Sequence, residues 1–118
     1  MSDPYEHSGI YQIKCTDCKY TYIGQTGRTF NIRFNDHMRS YKNNKLDSNF
    51  AIHLNEMNHT CEKNNLEILH IASKGPKMDF LEAYEIQKAI YKGSNILNDQ
   101  VDLFHSDVLK ILIEEFSN

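Results

Sequence analysis

Tryptophan is absent from this chain, proline occurs twice, and three cysteines leave an odd count with no disulfide framework. The odd, sparse cysteines suit a reducing compartment. No run of about 18 apolar residues occurs, so no stretch reads as a membrane-spanning helix. No basic-then-apolar leader opens the sequence, so a secretory signal is not expected. Excess charge of one sign is also missing, since the net value is only −3.

What is present is an uneven distribution of charge. Between Ser8 and Lys45, seven Lys or Arg stand against two Asp, a local balance of +5, and the rest of the chain carries −8. A local basic face can hold phosphates even on an acidic protein. The 118 residues are read as one domain, 1–118, with a modest core over about residues 8–99.

Gly9 to Gly24 organises the rest. Tyr11, Ile13 and Cys15 fall on one parity, Tyr20 to Ile23 is a second aromatic and β-branched run, and Thr16-Asp17 separates them. Two such runs around a polar turn predict a β-hairpin. Glycines close to the tyrosines, Gly9 near Tyr11 and Gly24 near Tyr22, let another backbone or a phosphate approach because no Cβ intervenes. Gln25-Thr26-Gly27-Arg28 is read as a turn.

Thr29 is placed to cap a helix to about Tyr41. Phe30, Phe34, Met38 and Tyr41 form its core stripe, and Arg33 and His37 share another face. Asn43 to Asp47 reads as a linker. Ser48 then caps a short helix to about Asn58 that buries Phe50, Ala51, Leu54 and Met57. Leu66 to Ile71 predicts a third strand, which the Lys74-Gly75-Pro76 turn ends. A helix from about Lys77 to Lys92 carries Ile86, Ala89 and Ile90 on its apolar stripe. Glu82 falls on that stripe, where a charge is costly without a partner or a metal. Glu85 is spaced to pair with Lys88. A last amphipathic helix over 105–116 follows, capped by Ser106.

Cys15 and Cys18 form a C-x-x-C at the hairpin tip, able to point two thiolates at one zinc ion. His53 and His59 are the matching pair, and Cys61 can replace one of them. No helix follows the C-x-x-C, which disfavours a thioredoxin-like redox pair.

Gly9-Ile10-Tyr11 followed by Tyr22-Ile23-Gly24 resembles the signature of the GIY-YIG nucleases. The resemblance implies an α+β fold: a three-stranded, mainly antiparallel sheet, made of the hairpin and a third strand, flanked by helices. It implies an arginine and a histidine on the first helix, at Arg33 and His37, with Arg28 as the rival arginine. It also implies a metal-binding glutamate at Glu82 within Leu81-Glu82-Ala83-Tyr84-Glu85-Ile86. Asn98, in Asn95-Ile96-Leu97-Asn98-Asp99, matches the residue that closes the family core.

The C-x-x-C between the tripeptides, the two later histidines, Tyr-Ile-Gly-Gln-Thr-Gly-Arg, and Leu69-His70-Ile71 with Lys74-Gly75 are similar to the endonuclease domain of Penelope-like retroelements. That likeness implies a nuclear enzyme acting on DNA, possessing or accompanying a reverse transcriptase. It implies structural Zn2+ on Cys15, Cys18, His53 and His59, and catalytic Mg2+ or Mn2+ on Glu82. Tyr11, Tyr22 and His37 all stand as candidate bases, Arg33 as the phosphate ligand. Asp47 and Ser48 occupy the place where homing endonucleases put an additional histidine. A junction-resolving or repair nuclease of the same superfamily, or a zinc-stabilised module that binds nucleic acid without cutting it, are the competing readings.

Overall fold

A computed structural model describes the chain over residues 3–43 and 48–97. Three strands, β1 (Gly9–Lys14), β2 (Thr21–Thr26) and β3 (Leu66–Ile71), form an antiparallel sheet in the order β2-β1-β3. Three helices, α1 (Phe30–Lys42), α2 (Asn49–Met57) and α3 (Pro76–Tyr91), flank it, which is the α+β architecture expected from the sequence. No helix among the described residues is long and apolar enough to cross a membrane. The expected helix over 105–116, Asn98 and most of the linker at 43–47 lie outside the described residues.

The central strand is buried on both faces, as a strand with neighbours on either side and helices above and below must be. Tyr11, Ile13 and Cys15 face a core built with Phe30, Phe34, Phe50 and Leu54. Ile10 faces a second, smaller core with Ile23, Met78 and Ile86 from β2 and α3. Pairing of β1 with β3 shifts register between Ile10 and Tyr11. Such a bulge re-aims side chains and is common beside active sites. Gly9, with φ +151°, is required at the start of the strand, because a Cβ there would stand 1.9 Å from the His70 carbonyl oxygen. The outer edge of β2 receives a parallel bridge from Ile96, fastened by Thr21 and Asn95 backbone atoms.

Both expected caps form: Thr29 Oγ1 accepts from Ile32 N–H, and Ser48 Oγ accepts from Ala51 N–H, each at 3.1 Å. Several details differ from the sequence expectation. The tetrapeptide after Gly24 is a turn only from Gly27, because β2 continues through Gln25 and Thr26. The buried line of α1 runs Phe30, Phe34, His37 and Ser40, while Met38 and Tyr41 are half-buried. Met57, at the last turn of α2 before left-handed Asn58, is 57 % exposed. Ile90 lies further round α3 than Ile86 and is 39 % exposed. Glu85 does not take Lys88 as partner: it bonds His70 Nε2 on β3 at 2.7 Å, and Lys88 lies over the Tyr84 ring instead.

Candidate active site

Tyr11 stands at the middle of β1, opposite Gly24 on β2. Its phenol occupies the space a side chain at position 24 would need: a Cβ on Gly24 would lie 2.5 Å from Tyr11 Oη. The glycine therefore admits the tyrosine of the neighbouring strand. Tyr22 flanks the same space, with ring centroids 6.3 Å apart.

Helix α1 supplies the groups that meet the phenol. Arg33 Nε–H donates to Tyr11 Oη at 3.2 Å, and His37 Nε2 lies 2.9 Å from the same oxygen. Arg33 also bonds Tyr22. Spaced four apart, Arg33 and His37 share one side of the helix, but they differ in burial: Arg33 is half-buried and His37 fully enclosed. A fully enclosed imidazole is tolerable here because both nitrogens have partners, the second being Ser48 Oγ at 2.6 Å. Arg28, the rival arginine, is exposed and pairs with Asp36 at 3.3 Å rather than with a tyrosine.

Burial pushes the Tyr11 phenol well above its ordinary range, the neighbouring Tyr22 adds to this, and Arg33 opposes it. The phenolate form is therefore favoured only by donors and cations close to the oxygen.

Glu82 reaches the site from α3, on the other face of the sheet. Its Oε1 accepts from Gln25 Nε2 at 3.0 Å, one residue beyond Gly24. The same amide bonds Asp79 Oδ1 at 3.0 Å, and Lys74 Nζ donates to Gln25 Oε1 at 3.3 Å. The acid on the stripe is thus held by a neutral amide. Burial raises its pKa, the Gln25 bond opposes, and Asp79 adds to the rise. Its charge also acts on Tyr11 and raises the phenol further, so the two groups share one electrostatic neighbourhood. A carboxylate bonded to a neutral amide, with no cationic side chain bonded to it among the described residues, suits a hard divalent cation.

The hairpin tip gathers a second constellation. Cys15 Sγ lies 3.3 Å from His59 Nδ1, Cys18 Sγ lies 3.3 Å from His53 Nε2, and the four ligand atoms are all within 4.8 Å of one another. A tetrahedral zinc with such ligands has edges of about 3.4–3.8 Å, so the donor set fits. Asp17 Oδ2 accepts from Thr60 N–H at 2.8 Å and fastens the tip to the segment bearing His59. Burial raises the Cys15 thiol, while burial and then His59 lower His53. Neutral imidazoles and thiols released by a cation are what such a site needs. Cys61 is outside the four: burial holds its thiol up at about 12, and its Sγ meets the Glu62 carbonyl.

Residues 7–93 match the model of the GIY-YIG catalytic domain. The chain belongs to the GIY-YIG family. No curated protein and no solved structure matches it significantly. A GIY-YIG domain is a metal-dependent nuclease fold acting on DNA. Within this GIY-YIG domain, Tyr11, Tyr22, Arg33 and His37 are drawn into one cluster, Glu82 is held by Gln25 one residue beyond Gly24, and Cys15, Cys18, His53 and His59 form another. Asn98 lies outside the described residues, although the backbone just before it is anchored where Leu97 N–H donates to Thr21 O at 2.9 Å.

Two participants escaped the sequence reading. Gln25 lies in β2 and not in the expected turn; its parity with Ile23, which aims both at α3, is the signal for it. Ser48 caps α2 and stands where homing endonucleases put an additional histidine, and nothing in its spacing from His37 announces their contact.

Proposed function

We propose that this domain is a DNA endonuclease of a Penelope-like retroelement, nicking one strand by phosphodiester hydrolysis with magnesium or manganese and stabilised by structural zinc. The observation that carries the reading is the Tyr11 phenol gripped by Arg33 and His37, with the Glu82 carboxylate at the adjoining edge of β2. A binding module has no use for a half-buried acid in the electrostatic neighbourhood of a buried phenol.

Glu82 is the protein's ligand for the divalent cation, which when bound supplies positive charge to the scissile phosphate and its leaving oxygen. Arg33 stabilises the charge that builds on the phosphate, for which its planar fork of donors is suited. Tyr11 orients the attacking water and, as phenolate, takes its proton. The water O–H bond breaks and the phenol O–H forms, while a new P–O bond replaces the one to the leaving oxygen, which is protonated from solvent. Tyr22, which also bonds Arg33, helps hold the guanidinium, and His37 supports Tyr11. Asn98 steadies the site.

The retroelement assignment is supported by the C-x-x-C set between the two tripeptides and by its closeness to His53 and His59. It carries a nuclear location and a fused or associated reverse transcriptase with it. The zinc joins the hairpin tip to α2, a gain that matters in a small domain.

The test is a plasmid-nicking assay with metal analysis on the purified protein. Magnesium-dependent conversion of supercoiled to relaxed circles, with one zinc per chain, is expected. Preference for flaps or four-way junctions over plain duplex would move the assignment to a repair nuclease, and DNA binding without cleavage would overturn the enzyme reading.

A further inference from the structure

Ser48 is nearly buried and its hydroxyl does two things at once. The oxygen accepts the Ala51 N–H that starts α2, at 3.1 Å, and it also meets His37 Nδ1 at 2.6 Å. His37 in turn meets Tyr11 Oη through Nε2 at 2.9 Å. A neutral imidazole has one proton, so the chain Ser48–His37–Tyr11 runs in one of two directions. In one direction Tyr11 donates to Nε2 and Nδ1–H donates to Ser48. In the other Ser48 donates to Nδ1 and Nε2–H donates to Tyr11.

Two observations select the second direction. Hydroxyl donors make the shorter bonds, about 2.5–3.0 Å, whereas N–H donors centre near about 2.9 Å. The 2.6 Å separation at Ser48 suits a hydroxyl that donates, and the 2.9 Å separation at Tyr11 suits an N–H that donates. The second observation is Arg33, whose Nε–H already donates to Tyr11 Oη at 3.2 Å. With His37 donating as well, the phenolate formed in catalysis has two N–H donors on its oxygen. In the first direction that oxygen would instead face the bare lone pair of Nε2.

We infer that Ser48 is a positioning residue that holds His37 in its Nε2–H tautomer, so that His37 serves Tyr11 as a hydrogen-bond donor. The inference deepens the nuclease reading and rests on it for its kinetic half alone. Burial works against the Tyr11 phenolate, and a second donor aimed at its oxygen offsets that penalty. A helix cap thereby sets the chemistry of a residue in the middle of the sheet.

The experiment has two arms. Long-range 1H–15N correlation on the intact protein reads the His37 tautomer without any reference to activity. Protonated Nε2 and bare Nδ1 are expected in the wild type and in Ser48→Thr. Ser48→Asp keeps a good helix cap but offers no proton at neutral pH, so its His37 is expected to turn to the Nδ1–H form. In the kinetic arm, Ser48→Asp and Ser48→Ala are expected to lower kcat for nicking by about tenfold or more at unchanged KM, with Ser48→Thr restoring it. A wild-type His37 protonated at Nδ1 overturns the inference, as does a Ser48→Asp variant that nicks at the wild-type kcat, which is the result a mere cap predicts. If the wild type cuts no DNA, the nuclease reading fails and the tautomer still decides Ser48.

Discussion

Substituting Gly24 by alanine adds one methyl group at the most crowded point of the site. Its Cβ would sit 2.5 Å from Tyr11 Oη, 2.7 Å from Tyr11 Cζ and 2.9 Å from Tyr22 Cε2. All three separations are below what a real contact permits, so something must move. Tyr11 has no exposed surface and its ring is edged by Phe30 and His37 at centroid distances of 6.2 and 6.0 Å. The backbone of Gly24 is paired to that of Tyr11 and cannot retreat independently. Overpacking of this kind costs about 1–3 kcal/mol, and meeting two rings places the variant toward the upper end. For a chain of 118 residues each kcal/mol lowers the melting temperature by about 4 °C. The displaced phenol also leaves Arg33 and His37, so DNA cleavage falls further than stability does. Thermal unfolding by circular dichroism gives the first quantity, and plasmid nicking well below the variant's transition gives the second. Gly27→Ala is the control: its Cβ would come no closer than 3.2 Å, to Lys74 Cβ, at an exposed position, and a loss under about 1 kcal/mol is expected. A Gly24→Ala protein as stable and as active as wild type would refute the packing of Tyr11 against β2.

Further outcomes follow from the two clusters. Cys15→Ser is expected to lose zinc and thermal stability together, and stoichiometric zinc in that variant would assign the ion to other ligands. In the metal-free protein His53 is lowered by burial and His59 from its ordinary 6.5, so its contribution to stability is present above about pH 6.5 and is lost as pH falls through the folded value. Denaturant titrations of chelated protein between pH 8 and pH 5 check this, and a flat profile would contradict it. Gln25→Ala removes the one interaction that most opposes the rise in the Glu82 pKa, so the acid limb of magnesium-dependent cleavage is expected to move to higher pH. An unmoved acid limb would detach Gln25 from Glu82 in solution.

Local chemistry made much of the fold legible. Thr29 and Ser48 are caps because a hydroxyl before an apolar period satisfies a first-turn amide, and both helices start where that signal falls. The hairpin and third strand follow from alternation of apolar residues between polar turns. Misplacements arose where tertiary partners overrule periodicity. His37 looks like a polar face residue until Tyr11 and Ser48, both distant in sequence, engage its two nitrogens. Glu85 has a helical neighbour at the right spacing, yet His70 on β3 is closer to its carboxylate. Met57 and Ile90 are apolar at nearly the right phase, but each lies at a helix end beyond the reach of the core. The grouping of Cys15, Cys18, His53 and His59 was readable because a C-x-x-C leaves a tetrahedron half complete and the two histidines were the natural supplement. Gln25 and Asp79 around Glu82 were not, because side-chain amides carry no spacing rule.

If an acid from α3 and a phenol from β1 serve one phosphate, cleavage depends on the charge at position 82, and Glu82→Gln removes that charge alone. Burial raises the Glu82 pKa, so its charge opposes folding as pH rises from the unfolded value through the folded one, and the neutral amide removes that opposition. The variant is expected to keep wild-type zinc and a melting temperature at neutral pH no lower than wild type, and to show no magnesium-dependent nicking of supercoiled plasmid. Undiminished nicking by that folded, zinc-loaded variant would contradict that dependence.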